Sequence, residues 1–163
     1  MWPAFTREKL VPRENVSLWA AEIRKSGRSI VTLNGSFDLL HSGHLHILYE
    51  AAQQGDVLII ALNSDDSIKK YKSPKRPFIP LNERIKLLSA ISFVHFVTWF
   101  EETDPRAILD EIKPDVHVNG ADWGKDCVEK EVIERSGGRV HIVSLIEGLS
   151  TSRIVEKILA TSS

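Results

Sequence analysis

The chain has 163 residues and a mass of 18.4 kDa, with 42% hydrophobic residues, 21 basic and 22 acidic side chains and one cysteine. Those values suit one domain with a sizeable core, and the near-cancelling charge offers no global field to draw nucleic acid or an anionic membrane. A lone Cys127 supports neither an internal disulfide nor a thiolate cluster, and residues 1–9 lack the apolar core of a signal peptide. With no apolar run of membrane-spanning length, the expected compartment is the cytoplasm and the expected partner a small molecule.

Residues 1 to about 28 read as an N-terminal helical extension, its main helix over Asn15 to Ser26. Ser29 to Asn34 is apolar, partly β-branched and glycine-flanked, which predicts a short buried strand. Leu45, Leu48, Tyr49 and Ala52 then recur at helical spacing, giving a helix from about Ser42 to Gln54. The unbroken apolar run Val57 to Leu62 has the pattern of a parallel strand covered on both faces.

Lys69 to Pro77 is basic and broken by proline, and reads as a mobile loop. Beyond it the expected elements alternate: a helix at Leu81 to Ile91, a strand at Val94 to Thr98, and a helix at Pro105 to Ile112. A strand at Asp115 to Val118, a helix at Val128 to Ser136, a strand at Val140 to Ser144 and a helix from Ser152 complete the chain. Alternation of this kind predicts an α/β fold with a parallel sheet, whose sites lie at the carboxyl ends of the strands.

The first strand hands over to the first crossover helix through Gly35-Ser36-Phe37-Asp38-Leu39-Leu40-His41-Ser42-Gly43-His44. Backbone amides and the helix dipole there favour a phosphate. His41 and His44, three residues apart, can address the same anion, and Gly43 lets the backbone approach it. A zinc site using His46 as well is the weaker reading, because its spacing turns it to another helical face and no nearby cysteine completes the set. Asp38 has two readings, a turn aspartate bonded to backbone amides, or a residue that orients the loop or binds the acceptor side. Ser150, Thr151 and Ser152 start the last helix, where one hydroxyl would cap it and the others suit a phosphate tail.

The run Asn34 to His44 resembles the HxGH signature of the cytidylyltransferase-like nucleotidyltransferases, and three further segments from Ile30 to Ile158 fit the same pattern. The resemblance implies a Rossmann-like parallel sheet flanked by helices, in a single nucleotidyltransferase domain spanning 1–163. It implies in-line attack of a substrate phosphate on the α-phosphorus of ATP or CTP, with His41 and His44 stabilising the charge that develops. It also implies that Gly35, Ser36, Phe37, Gly120, Asp122, Trp123, Ser150, Thr151 and Ser152 lie along the nucleotide. Arg84, Lys72 and Asp38 would serve phosphate or acceptor; for Arg84 an ordinary surface arginine, and for the lysines of 69–75 plain solvated charges, are the alternatives. Magnesium would arrive with the triphosphate, with no ligand from protein side chains. The resemblance allows a homodimer, and neither nucleic acid nor a membrane is an expected partner.

Asp65-Asp66-Ser67-Ile68, Lys75-Arg76-Pro77, Glu102-Thr103 and Lys113-Pro114-Asp115 resemble the nucleotidyltransferase domain of ADP-heptose synthases, which act on a heptose 1-phosphate in lipopolysaccharide biosynthesis. A separate kinase would then supply the sugar phosphate. Glycerol-3-phosphate cytidylyltransferase, similar at Ala121-Asp122-Trp123, is the competing reading, with Leu145 standing where that family usually has arginine. A non-catalytic nucleotide-binding module is the third. His95 stands where both subfamilies usually show aspartate, and Asn119 where heptose enzymes usually have lysine. For His95 a place filling or fringing the sheet is the preferred reading.

Overall fold

A computed structural model describes residues 4–122, 124, 127–144, 146, 148 and 150–161. Short helix α1 (Ala4–Glu8) and a 3-10 turn at Arg13–Asn15 precede α2 (Val16–Lys25). Then come β1 (Ile30–Gly35), α3 (Ser42–Ala52), β2 (Val57–Asn63), α4 (Asp65–Tyr71) and α5 (Leu81–Ser89). After these follow β3 (Phe96–Phe100), α6 (Arg106–Ile112), β4 (Val116–Gly120), α7 (Lys130–Arg135), β5 (Arg139–Val143) and α8 (Thr151–Thr161).

The five strands form one parallel sheet in the order β3-β2-β1-β4-β5. This is the Rossmann-like α/β arrangement expected from the alternation of elements. The strand order reverses between β1 and β4, so the carboxyl ends of these two strands part around a crevice where ligands bind in open sheets of this kind. Leu33 opposite Val118 is the last pair of this ladder, and Gly35 and Gly120 end the two strands beyond it.

Alternate residues of each strand face opposite sides, which divides the core in two. Val31, Leu33, Leu58, Ile60 and Val118 pack with Ile47, Leu48 and Ala51 of α3 and Leu88 of α5. Ile30, Ile59 and Ala61 pack on the other face with Ala20 and Ile23 of α2, Ile108 and Leu109 of α6, and Ile133 of α7. All seven residues of β2 are buried, as its continuous apolar run requires. Each fully buried Leu or Ile contributes about 1.5–3 kcal/mol, so this double core dominates the fold's stability.

The N-terminal segment does more than append helices. Val11 N–H donates to Val97 O at 2.9 Å and Val97 N–H to Lys9 O at 2.9 Å, which pairs the outer edge of β3 with a short bridge at Leu10. Two expectations need correction. The third strand begins at Phe96 rather than Val94, because Val94 N–H closes a turn onto Ile91 O at 3.2 Å. The basic loop is shorter than expected, because Lys69 and Lys70 belong to α4, whose N-cap Ser64 accepts from Ser67 N–H at 3.1 Å.

His95 sits at the amino end of β3, remote from the crevice. Its Nδ1 accepts from Leu58 N–H at 3.1 Å and its own N–H donates to Leu58 O at 3.1 Å, so it fringes the sheet.

Candidate active site

Gly35 ends β1, and Phe37 follows with φ of 45°, in the left-handed region that costs a bulky residue on the order of 1–3 kcal/mol. A Cβ on Gly35 would lie 3.1 Å from the Phe37 ring, so glycine is what lets that ring fold back. The ring in turn packs 5.1 Å from His44. Local strain is thus concentrated where the chain enters α3.

His41 is the N-cap of α3 and His44 lies in its first turn. Their rings stack with centroids 3.9 Å apart. His41 N–H donates to His44 Nδ1 at 3.4 Å, which leaves the proton of a neutral His44 on Nε2. Burial first, then the positive charges of a protonated His41 and of Lys72, push the His44 pKa down to about 4, and burial also lowers that of His41. Two neutral imidazoles therefore stand at a helix N-terminus, which is a place an anion would charge. Asn34 Oδ1 is buried without a hydrogen-bond partner among the described residues.

A strap from Lys72 to Pro80 crosses this corner, tied down rather than loose. Asp38, 1% exposed, accepts from Arg76 Nε at 2.6 Å, from Phe78 N–H at 2.8 Å and from Ile79 N–H at 2.8 Å. Burial alone would raise the Asp38 pKa, but the Ile79 and Phe78 amides and the Arg76 guanidinium hold it below the usual carboxylate range. Of its two readings, this geometry matches the aspartate that orients a loop. At the start of the strap Lys72 Nζ donates to Ser36 Oγ at 2.7 Å. Burial, then the neighbouring Arg76, lower the Lys72 pKa.

Arg84 is not the ordinary surface arginine of the alternative reading. It is fully buried instead of facing open space, and its guanidinium donates to Ser36 O at 2.6 Å, Ile79 O and Asn63 O at 2.9 Å each, and Asp65 Oδ1 at 2.7 Å. One side chain thereby joins β1's exit, β2's exit, the strap and α4. It shapes the site from beneath. Asn63 was not singled out from the sequence, and Asp65 and Arg76 stood only in the heptose-type segments; no local pattern links Asp65 to Arg84 or Arg76 to Asp38, which lie 19 and 38 positions apart.

The last helix reaches the same corner. Ser150 caps α8 by accepting from Arg153 N–H at 3.2 Å, and Thr151 Oγ1 donates to Leu39 O at 3.5 Å, while Ser152 is exposed. Gly120 ends β4 beside this crevice, Ala121 N–H donates to Val143 O at 3.0 Å, and Asp122 is exposed. Trp123 and Leu145 lie outside the described residues. His46 turns away from the pair, its Nε2 3.2 Å from Ser144 O, and no cluster of three metal-ligating side chains occurs among the described residues. A hollow of about 470 Å³ between α6 and α7 is lined by Asp104, Arg106, Asp110 and Arg135, whose charges already pair with one another at 2.8–2.9 Å. The stacked histidines at a helix N-terminus make their corner the better site.

Comparison with known proteins gives the family and the fold. The cytidylyltransferase-like family profile matches residues 32–157. The bifunctional protein HldE of Syntrophotalea carbinolica is 42% identical over 137 residues, which cover 83% of this chain and 28% of that protein. HldE of Trichlorobacter lovleyi is 41% identical over 152 residues, covering 93% of this chain and 31% of that protein. The chain thus spans less than a third of the length of these relatives. Among solved structures, a lipopolysaccharide core biosynthesis protein from Thermoplasma volcanium superposes with a TM-score of 0.61 at 31% identity, over 74% of this chain and 98% of that one. Pantoate-beta-alanine ligase from Francisella tularensis, at 12% identity and a TM-score of 0.60 over 94% of this chain and 78% of that one, shares the fold.

Proposed function

Because this chain belongs to the cytidylyltransferase-like family, it is a nucleotidyltransferase, and we propose that it transfers AMP from ATP to a sugar 1-phosphate, with D-glycero-D-manno-heptose 1-phosphate as the acceptor. The products are pyrophosphate and an ADP-sugar for lipopolysaccharide assembly. The observation that carries the reaction is the stacked, neutral His41 and His44 pair at the α3 N-terminus. The acceptor rests on the HldE relatives and on the heptose-type segments of the sequence.

In this reading a phosphate oxygen of the sugar attacks the α-phosphorus in line as pyrophosphate leaves, with no covalent enzyme intermediate. The protein's work is positioning and charge neutralisation. His44 Nε2–H and the α3 amides face the charge that builds on the α-phosphate, and each preorganised donor of this kind supplies about 3 kcal/mol. Lys72 leaves Ser36 Oγ for a triphosphate oxygen, a short swing along the strap that Asp38 holds. The Ser150–Ser152 start of α8, already tied to Leu39 through Thr151, receives the phosphate tail. Gly35, Ser36, Phe37, Gly120 and Asp122 border the base and ribose.

Magnesium accompanies the triphosphate. Both Asp38 oxygens already accept hydrogen bonds, so the nearest buried carboxylate is committed to the strap, and the ion would be held by phosphate oxygens and water. The cytoplasm is the matching compartment, and no helix among the described residues is long and apolar enough to cross a membrane.

The test is pyrophosphate release with ATP and CTP, each crossed with heptose 1-phosphate, glycerol 3-phosphate and other phosphorylated sugars and alcohols. ATP with heptose 1-phosphate is expected to turn over fastest. Preference for CTP with glycerol 3-phosphate would replace the acceptor reading, and triphosphate binding without release across the panel would replace the enzyme with a binding module. His41→Ala and His44→Ala are each expected to keep the fold by circular dichroism and to lose most turnover.

A further inference from the structure

One buried polar cluster has no part in these steps. His117 and Asn119, alternate residues of β4, share one face of the strand, and Glu129 stands immediately before α7. All three are nearly inaccessible, at 0%, 5% and 6% exposure. Asn119 Nδ2 donates to Glu129 Oε2 at 3.4 Å, and Thr32 Oγ1 is hydrogen-bonded to His117 Nδ1 at 2.8 Å. His117 Nε2 is buried with no partner among the described residues. Burial holds the His117 pKa down to about 4 against the opposing pull of the Glu129 carboxylate. The Cys127 thiol is pushed up, by burial first and then by Glu129.

Burying a carboxylate, an amide and an imidazole together costs free energy that the apolar Ile30, Ile59 and Ile133 on the same sheet face do not incur. Position supplies the reason. Asn119 directly precedes Gly120, and Glu129 ends the stretch that follows, so their hydrogen bond joins the two stems of the segment bearing Gly120 and Asp122 at the β1/β4 crevice. We propose that Asn119 and Glu129, with His117 beneath them, are positioning residues that set Gly120 and Asp122 against the base and ribose of the bound nucleoside triphosphate. The pair touches no reacting atom, and the inference rests on the nucleotidyl-transfer reading above.

Cys127, the chain's single cysteine, reports on this cluster through its rate of reaction with a disulfide reagent such as DTNB. Glu129→Ala is expected to raise the KM for triphosphate about tenfold with kcat within about twofold, as loss of one hydrogen bond to a charged group predicts. The KM for the acceptor should stay unchanged, and Cys127 should react several times faster in the absence of nucleotide. Glu129→Gln keeps an acceptor oxygen for Asn119 but loses the charge that raises the Cys127 pKa, so it should bring the triphosphate KM back close to wild type, with Cys127 reacting more slowly than in Glu129→Ala though faster than in wild type.

A folded Glu129→Ala protein with unchanged triphosphate KM would overturn the proposal, and so would Cys127 rates that are equal in Glu129→Ala and Glu129→Gln. So would a uniform fall in kcat and both affinities that glutamine does not rescue. If Glu129→Ala does not fold, Asn119→Ala read in the same assays carries the same outcomes. A wild-type protein that neither binds nor turns over any triphosphate sinks the nucleotidyl-transfer reading itself, while the Cys127 rates of the variants still decide whether the pair holds the segment.

Discussion

Asp38→Asn leaves the side chain's size unchanged, removes one charge and turns one acceptor oxygen into a donor. If the retained oxygen keeps the Phe78 and Ile79 amides, both at 2.8 Å, the new amide group faces Arg76 Nε–H, donor against donor. A buried ion pair broken from one side costs about 3–5 kcal/mol. Arg76 is 19% exposed and lies over the Phe78 ring at 4.5 Å, so it can turn partly to water, which brings the expected loss to about 2–3 kcal/mol. Urea unfolding at pH 7 measures it as a lower midpoint with an unchanged slope.

The pH dependence supplies a second arm. The folded-state pKa of Asp38 lies below its unfolded value, so its contribution is complete above the unfolded value of about 3.9 and disappears as pH falls through the folded one. The stability gap between wild type and Asp38→Asn should therefore be constant near neutrality and close in acid. A gap under about 0.5 kcal/mol at pH 7, or one that widens on acidification, would refute the claim that Asp38 holds the strap.

Arg84→Ala strands the acceptors at Ser36, Asn63, Ile79 and Asp65 and should cost about 3–5 kcal/mol, a fall in Tm of about 10 °C by calorimetry. Arg84→Lys should recover only part of it, because an ammonium cannot span the same fork of acceptors. His44, with its pKa held down to about 4, is neutral in the free protein at pH 7, and a bound triphosphate raises that pKa. Triphosphate binding should therefore take up protons near pH 6 and tighten as pH falls from about 7 to about 5.5; calorimetry in buffers of different ionisation enthalpy would show no uptake if the reasoning fails. Lys72→Met should change stability by less than about 0.5 kcal/mol, since the ammonium makes one hydrogen bond at the edge of the site, yet weaken triphosphate binding about tenfold by equilibrium titration.

Strand and helix order, the parallel sheet and the histidine pair at the α3 N-terminus were legible in the sequence because each is a local signal. The apolar run at Val57 to Leu62 states its own burial, and His41 and His44 share a helix turn whatever surrounds them. The β3 start was misplaced because apolar Val94 looks the same in a turn as in a strand. The roles of the charged residues were decided only by tertiary structure. Arg84 finds Ser36 48 positions away, Asp38 finds Arg76 38 positions away, and Asn119 finds Glu129 across the segment they bracket. Periodicity shows which side chains are apolar, but a buried charge takes its partner from whichever chain ends the sheet brings together: the neighbouring exits of β1 and β2 for Arg84, and the exit of β4 and the start of α7 for Asn119.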